Sequence, residues 1–289
     1  MRSLRVAMLA SCLGCAGAGG RPAASEGSLR QALTFHVPFD GKADAVFAPG
    51  DRGVYSGLGT PLKDVKPGLP AEGVSIARGA GRYGDALRFE RKIKQVAFYK
   101  AERNMSYSEG VFQGSVSIWM SLDPEKDLEP GFCDPIQLTD KKWDDACMFV
   151  DFDKGGDPRL FRMGVLSDHR EWNPQNRKWD DIPDGDRPWI VVRRHPFARG
   201  KWTHVVFTWE KFNTQLDDAV ARLYLDGQLQ GEQRGRKTYT WDLSRAAIVL
   251  GMNYVGLYDD LALFNRPLSE DEIVLLGKLE GGVRSLVRR

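Results

Sequence analysis

The chain has little cysteine: four residues in 289, two of them (Cys12 and Cys15) near the N-terminus. The other two, Cys133 and Cys147, flank a polar loop. An even pair in an oxidising compartment is a disulfide candidate, and two free buried thiols are the alternative. Nothing nearby supplies further Cys or His ligands for zinc. Histidine is equally sparse, and His36, His169, His195 and His204 show no metal-ligand spacing. The formal net charge is only +2, with both signs interspersed, which leaves no electrostatic footprint for nucleic acid. Beyond residue 20 no apolar run approaches the ~20 residues a membrane-spanning helix needs. There is no G-x-S-x-G elbow, H-E-x-x-H helix or Walker loop. Gly79–Gly84 (GAGRYG) does match G-x-G-x-x-G, but alternation in Ala86–Phe89 follows where a dinucleotide site needs a helix. The glycines therefore read as a turn.

What is present is ordinary globular composition, 42% hydrophobic and 10% aromatic. Arg2 and Arg5 precede the charge-free stretch Val6–Ala18, which reads as an export signal. Two exits fit it. Ala16-Gly17-Ala18 suits signal peptidase, and Leu9-Ala10-Ser11-Cys12 resembles a bacterial lipobox that would lipidate Cys12. The expected location is extracytoplasmic: secreted, periplasmic or lipid-anchored, with membrane contact only through that lipid. Residues 19–32 read as a flexible tether and 33–280 as one domain, followed by a basic tail at 281–289.

Within the domain the strand period dominates. Leu33, Phe35, Val37 and Phe39 alternate with Thr34 and His36, and Pro38 marks an edge or bulge. Further strands are predicted at 85–90, 115–122, 202–209, 220–226, 246–251 and 257–264. Asp226-Gly227 is a tight hairpin signal. Ser269 to Glu272 forms a capping box that opens the one convincing helix. Many short strands and one terminal helix predict an all-β, two-sheet antiparallel sandwich.

Six blocks carry a resemblance: LTFHVPFDG (33–41), GRYGDALRF (81–89), SVSIW (115–119), KWTHVVFTW (201–209), RLYLDG (222–227) and GLYDDLALFNRPLSEDEI (256–273). In this order they resemble a laminin-G-like, concanavalin A-type lectin/glucanase jelly roll. The resemblance implies fold more firmly than function, since members include lectins, adhesion modules and glucanases. Its retaining glucanases carry Glu-x-Asp-x-x-Glu, which is missing here. The stretch 123–199 reads as a long irregular insert. The family also implies a structural calcium where an acidic residue of the last strand meets the F-D-G turn of the first. Asp40 and Asp259 match those positions. Asp259 reads in phase with Leu257, Leu261 and Leu263, where an unpaired charge is costly. The alternative is that Asp259 accepts backbone or arginine hydrogen bonds and Asp40 makes an Asx-turn.

The insert repeats Trp-Asp-Asp at 143–145 and 179–181 and adds Trp172-Asn173 and Trp189. Rings beside carboxylates and amides suit sugars, whose C–H faces stack while their hydroxyls hydrogen-bond. Trp143, Trp172, Asn173, Trp179, Asp181 and Trp189 are therefore ligand candidates, and buried loop-pinning tryptophans are the bland alternative. The leading expectation is an exported, non-catalytic carbohydrate-binding module. A module for an extracellular protein partner and a glycoside hydrolase with a non-standard acid pair are the alternatives. A broad apolar patch would favour the former. Two carboxyls facing across a cleft, one with a raised pKa, would favour the latter.

Overall fold

A computed structural model describes residues 24–287, so the export segment and Cys12 lie outside the described residues. Sixteen strands form two sheets. In chain order they are β1 (Leu33–Val37), β2 (Tyr55–Leu58), β3 (Lys63–Pro67), β4 (Val74–Ala77), β5 (Ala86–Phe89), β6 (Gln95–Lys100), β7 (Phe112–Ser121) and β8 (Cys133–Thr139). They continue as β9 (Cys147–Phe152), β10 (Phe161–Leu166), β11 (Trp189–Val192), β12 (Thr203–Phe212), β13 (Val220–Leu225), β14 (Gln228–Arg234), β15 (Ala247–Met252) and β16 (Gly256–Phe264).

The first sheet runs β14-β13-β12-β7-β16-β5-β4, with β1 beside the far half of β16. The second runs β11-β10-β9-β8-β15-β6-β2-β3. All pairings are antiparallel. One core fills the space between the sheets: Ile118, Val205, Phe207 and Leu223 from the first meet Ile136, Met148, Val150 and Met163 from the second. The expected sandwich is the observed architecture. The hairpin at Asp226-Gly227 also forms, both residues taking the positive φ (49° and 80°) that a type I′ turn requires.

Three sequence expectations are corrected. The supposed insert 123–199 contains β8–β11, half of the second sheet. Its strands hid because β9 and β10 are buried on both faces, so hydrophobicity does not alternate. Residues 26–32 of the supposed tether form helix α1 (Glu26–Ala32), N-capped by Ser25 and burying Leu29 and Ala32. After two short helices, α2 (Pro124–Asp127) and α3 (His169–Trp172), come the capping-box helix α4 (Glu270–Gly277) and α5 (Arg284–Val287), which lies within the expected tail. Helices α1, α4 and α5 cover the outer face of the first sheet, where Leu29, Ile273, Leu276 and Leu286 pack on Val206, Ala262 and Phe264. Glu272 ties α4 to α1: it accepts from Arg266 (2.6 Å) and from the Ser28 hydroxyl (2.7 Å). Chiefly through Arg266, its pKa falls to about 2.

The third correction is the disulfide. Cys133 and Cys147 are free and buried. Cys133 opposes Phe152 at one end of the β8–β9 ladder, while Cys147 lies beyond the Leu138–Met148 pair at the other. Five residues of strand at ~3.3 Å each separate them by roughly 16 Å, against the ~7 Å ceiling for Cα atoms of a disulfide. Flanking a loop did not bring them together, because the loop enters β9 at Cys147 but leaves β8 at Thr139, the end away from Cys133. Reductant should therefore leave the melting temperature unchanged. Both thiols should alkylate only after denaturation; a Cys133–Cys147 crosslinked peptide in the native protein would contradict this register.

Candidate functional site

The second sheet turns Met148, Val150 and Phe152 of β9 into the core, which leaves Cys147, Phe149 and Asp151 facing outward. In β10 the same alternation sends Phe161, Met163 and Val165 inward, so Arg162 and Gly164 point out. Arg162 pairs in register with Asp151, and Gly164 with Phe149. A side chain at 164 is excluded, since its Cβ would stand 2.3 Å from the Phe149 ring. Phe149 thus forms floor beside a buried ion pair.

Arg162 donates Nε to Asp151 Oδ1 at 2.9 Å and Nη2 to Oδ2, a bidentate fork with both side chains nearly inaccessible. Asp134 of β8 lies beside it and accepts from Gln137 Nε2 at 2.5 Å. Burial, then the neighbouring Asp151 charge, raise the Asp134 carboxyl to about 7. Arg162 neutralises Asp151 directly, so Asp134 is the member of the pair that takes up a proton first as pH falls.

Tryptophans build the walls. Trp189 opens β11, with the Arg162 guanidinium 4.6 Å from its ring centroid. Trp179 sits in a single 3₁₀ turn, edge-on to Trp189 at 5.1 Å and to Trp143, from the β8–β9 connection, also at 5.1 Å. Arg187 lies 4.9 Å from both the Trp179 and Trp189 rings. With Phe132, Asp153, Lys154 and Asp180, these groups enclose a pocket of about 500 Å³. Trp143 and Phe132 are its exposed rim.

Of the six ligand candidates, the structure gathers Trp143, Trp179 and Trp189 in this pocket. Trp172 lies behind Trp179 at 5.9 Å and lines a neighbouring pocket. Asn173 is buried and structural: its amide closes the loop by accepting from Arg177 N–H and donating to Arg177 O. Asp181 lines neither of these pockets; the preceding Asp180 reaches the first. Sequence reasoning missed Asp134, Asp151, Arg162 and Arg187. The one available signal was Asp151 itself, a lone carboxylate between Val150 and Phe152 in an otherwise apolar run.

Asp40 and Asp259 both meet the 79–84 turn, which is indeed a turn. Asp259 Oδ2 accepts from Tyr83 N–H at 2.8 Å, and Asp40 Oδ1 from Asp85 N–H at 2.9 Å. The phase argument for Asp259 fails, because a bulge at Asp260 (φ 52°) shifts the register of β16. Tyr258, Leu261 and Leu263 face the core, so Asp259 lies on the opposite face, sealed under the turn and the C-terminal segment. Its Oδ1 and the Tyr83 hydroxyl are buried without partners, which would suit a cation. The rest of the set does not fit calcium. Both Asp40 oxygens take N–H donors, Oδ2 from Arg284, and no group of three His, Cys, Asp or Glu gathers among the described residues. Calcium takes six to eight oxygens. Here the guanidinium brings the positive charge. His204 is buried, bonds Ser117 at 2.8 Å and stacks on Trp119. Burial lowers its pKa to about 3.

Residues 172–274 match the profile of the concanavalin A-like lectin/glucanases superfamily. No curated protein matches the chain. Among solved structures, domain 4 of an extracellular arabinanase from Geobacillus stearothermophilus, in complex with arabinotriose, is 17% identical (TM-score 0.52). That match covers 86% of this chain and 98% of that one. The botulinum neurotoxin serotype D ligand binding domain, in complex with N-acetylneuraminic acid, is 14% identical (TM-score 0.54) over 88% of this chain. The binding domain of Paraclostridial Mosquitocidal Protein 1 is also 14% identical (TM-score 0.52) over 86% of it. This chain spans 52% of each of those two toxin chains. At these identities the likeness is one of fold: a concanavalin A-like jelly roll.

Burial, ahead of the nearby Asp260 and Asp40 charges, raises the Asp259 carboxyl to about 7. The native state therefore holds a proton that the unfolded chain loses near pH 4, so this contribution to stability declines as pH rises from about 4 to 7. Asp259→Asn should remove that decline. Relative to wild type, the variant should gain about 1–3 kcal/mol at pH 8 over its value at pH 5, read from denaturant melts. An equal offset at both pH values would show that Asp259 does not carry the proton.

Proposed function

We propose that the chain is an exported carbohydrate-binding module whose site is the Trp143–Trp179–Trp189 pocket. The observation that carries this reading is the meeting of three tryptophans, distant in sequence, around a polar floor. Trp143 offers an exposed apolar face to a sugar ring at the rim. Asp134, Asp153 and Lys154 offer hydroxyl partners at hydrogen-bonding depth. A volume of about 500 Å³ suits one to two sugar rings, inside the ordinary range of ligand sites. The arabinotriose and N-acetylneuraminic acid bound by structures of the same fold agree with it. The export-signal pattern of Arg2–Ala18 and the lipobox-like Cys12 support an exported, lipid-tethered setting in which such a module meets glycans.

A glycan array should yield ligands, and Trp143→Ala should weaken the best of them at least tenfold, about 1.4 kcal/mol. Because Trp143 lies at the rim, the melting temperature should move little. An empty array, or unchanged affinity in Trp143→Ala, would contradict the assignment.

One observation favours hydrolysis as a second reading. Asp134 keeps a proton near neutrality beside a second carboxylate, as a general acid does. Against it, both Asp151 oxygens are held by Arg162, which leaves that carboxylate poorly placed to act as nucleophile or base. Incubating the array ligands with the protein between pH 5 and 8 should yield no cleavage products. Products that disappear in Asp134→Asn would establish the hydrolase instead.

A further inference from the structure

Behind the tryptophan wall lies a second pocket of about 280 Å³, lined by Ser167, Glu171, Trp172, Arg187, Arg236 and Lys237, among others. Arg187 borders both pockets. Lys237 is only 9% exposed, yet its ammonium makes no hydrogen bond or ion pair among the described residues. The nearest carboxylates are already committed. Glu171 accepts from Arg236 Nε (2.7 Å), Thr238 N–H (2.7 Å) and the Thr238 hydroxyl (3.1 Å). Asp217 accepts from Arg236 N–H at 2.9 Å. A lysine so far withdrawn from water is costly unless something compensates its charge. Burial accordingly pulls its pKa below the usual lysine value.

We propose that the Lys237 pocket binds the anionic group, carboxylate or sulfate, of an acidic sugar unit whose neighbour occupies the tryptophan pocket. The ligand is then an acidic glycan that crosses the Arg187 partition. This rests on the sugar-binding reading of the first pocket and names its ligand class. Arg187 suits the crossing. Its guanidinium is held by Asp184 at 2.5 Å and by Trp179 O at 3.1 Å, while its buried Nε donates to no group among the described residues. The first pocket sets Lys154, Arg162 and Arg187 against four aspartates, whereas the second sets Arg187, Arg236 and Lys237 against Glu171 and Asp186, which makes the first the poorer place for an acid. The anion is thereby directed to the second.

Two measurements test it. In calorimetry, a galacturonic acid trimer and a sulfated galactose trimer are compared with the neutral galactose trimer. At least one acidic trimer should bind tenfold or more tighter, and Lys237→Gln should erase that preference while leaving the neutral affinity unchanged. Trp143→Ala should weaken all that bind. Neutral and acidic trimers binding equally would overturn the anion site and spare the sugar site. The second measurement needs no variant. Inorganic sulfate should slow acylation of Lys237 in the wild-type protein at least fivefold, read by peptide mass spectrometry, relative to exposed lysines such as Lys63. Unchanged labelling would overturn the proposal even if Lys237→Gln fails to fold.

Discussion

A guanidinium buried on the outer face of the second sheet has to be neutralised where it stands, and much of the site follows from how that is done. Arg162 projects from near the start of β10, with Asp151 opposite it in register. The fork fixes the carboxylate, and burial together with that fixed negative charge pushes the Asp134 carboxyl upward. On its other side the same guanidinium lies against Trp189, which orients Trp179, which orients Trp143. Removing one partner would strand a buried charge, typically at a cost of about 3–5 kcal/mol. The ion pair is thus the foundation of a wall that its own energetics would not justify as a stabilising device.

The opposite face of the molecule solves a similar problem differently. Between its contacts with β5 and β1, strand β16 carries a bulge at Asp260 that leaves two successive carboxylates off the core. Asp260 takes His36 Nε2 at 2.7 Å and Val283 N–H at 2.9 Å. Asp259 takes the 79–84 turn, and Asp40 takes Arg284. These bonds tie the first strand, a glycine turn, the last strand and the C-terminal segment into one cluster. Gly84 has room only for hydrogen, because a Cβ there would stand 2.2 Å from Asp40 Oδ1. Terminal segments are the parts of a domain most prone to fray, and here polar contacts hold Val283 and Arg284 to the sheet and its turns.

Much of this fold was legible. Strands of the first sheet alternate because the inner face meets the core and the outer face meets helices or water, and turn chemistry at Asp226-Gly227 and the capping box at Ser269 punctuate them. The second sheet was legible only where it alternates. In β9 (CMFVDF) both faces are covered, one by the core and one by tryptophans, so period two disappears and a strand passes for irregular insert. The Asp259 phase error has a different cause. One bulged residue reverses every inward and outward assignment beyond it, and nothing in the composition of LYDDLAL announces where that residue lies.

The site was half legible for a related reason. The repeated Trp-Asp-Asp pointed to the right rings because aromatic residues in polar loops need a surface to lie on, and the sheet supplies one. It pointed to the wrong carboxylates because loop acids and strand acids answer to different constraints. Asp181 sits exposed on a one-turn helix and needs no partner. Asp134 and Asp151 face a surface the loops have covered, so their charge must be neutralised by Arg162 or suppressed by a proton. That obligation makes them chemically distinctive, and it arises only once the loops have folded over the sheet. Lys237 follows the same logic from the cationic side: the cover that hides it commits its neighbouring carboxylates elsewhere, and what remains is a charge that a ligand can complete.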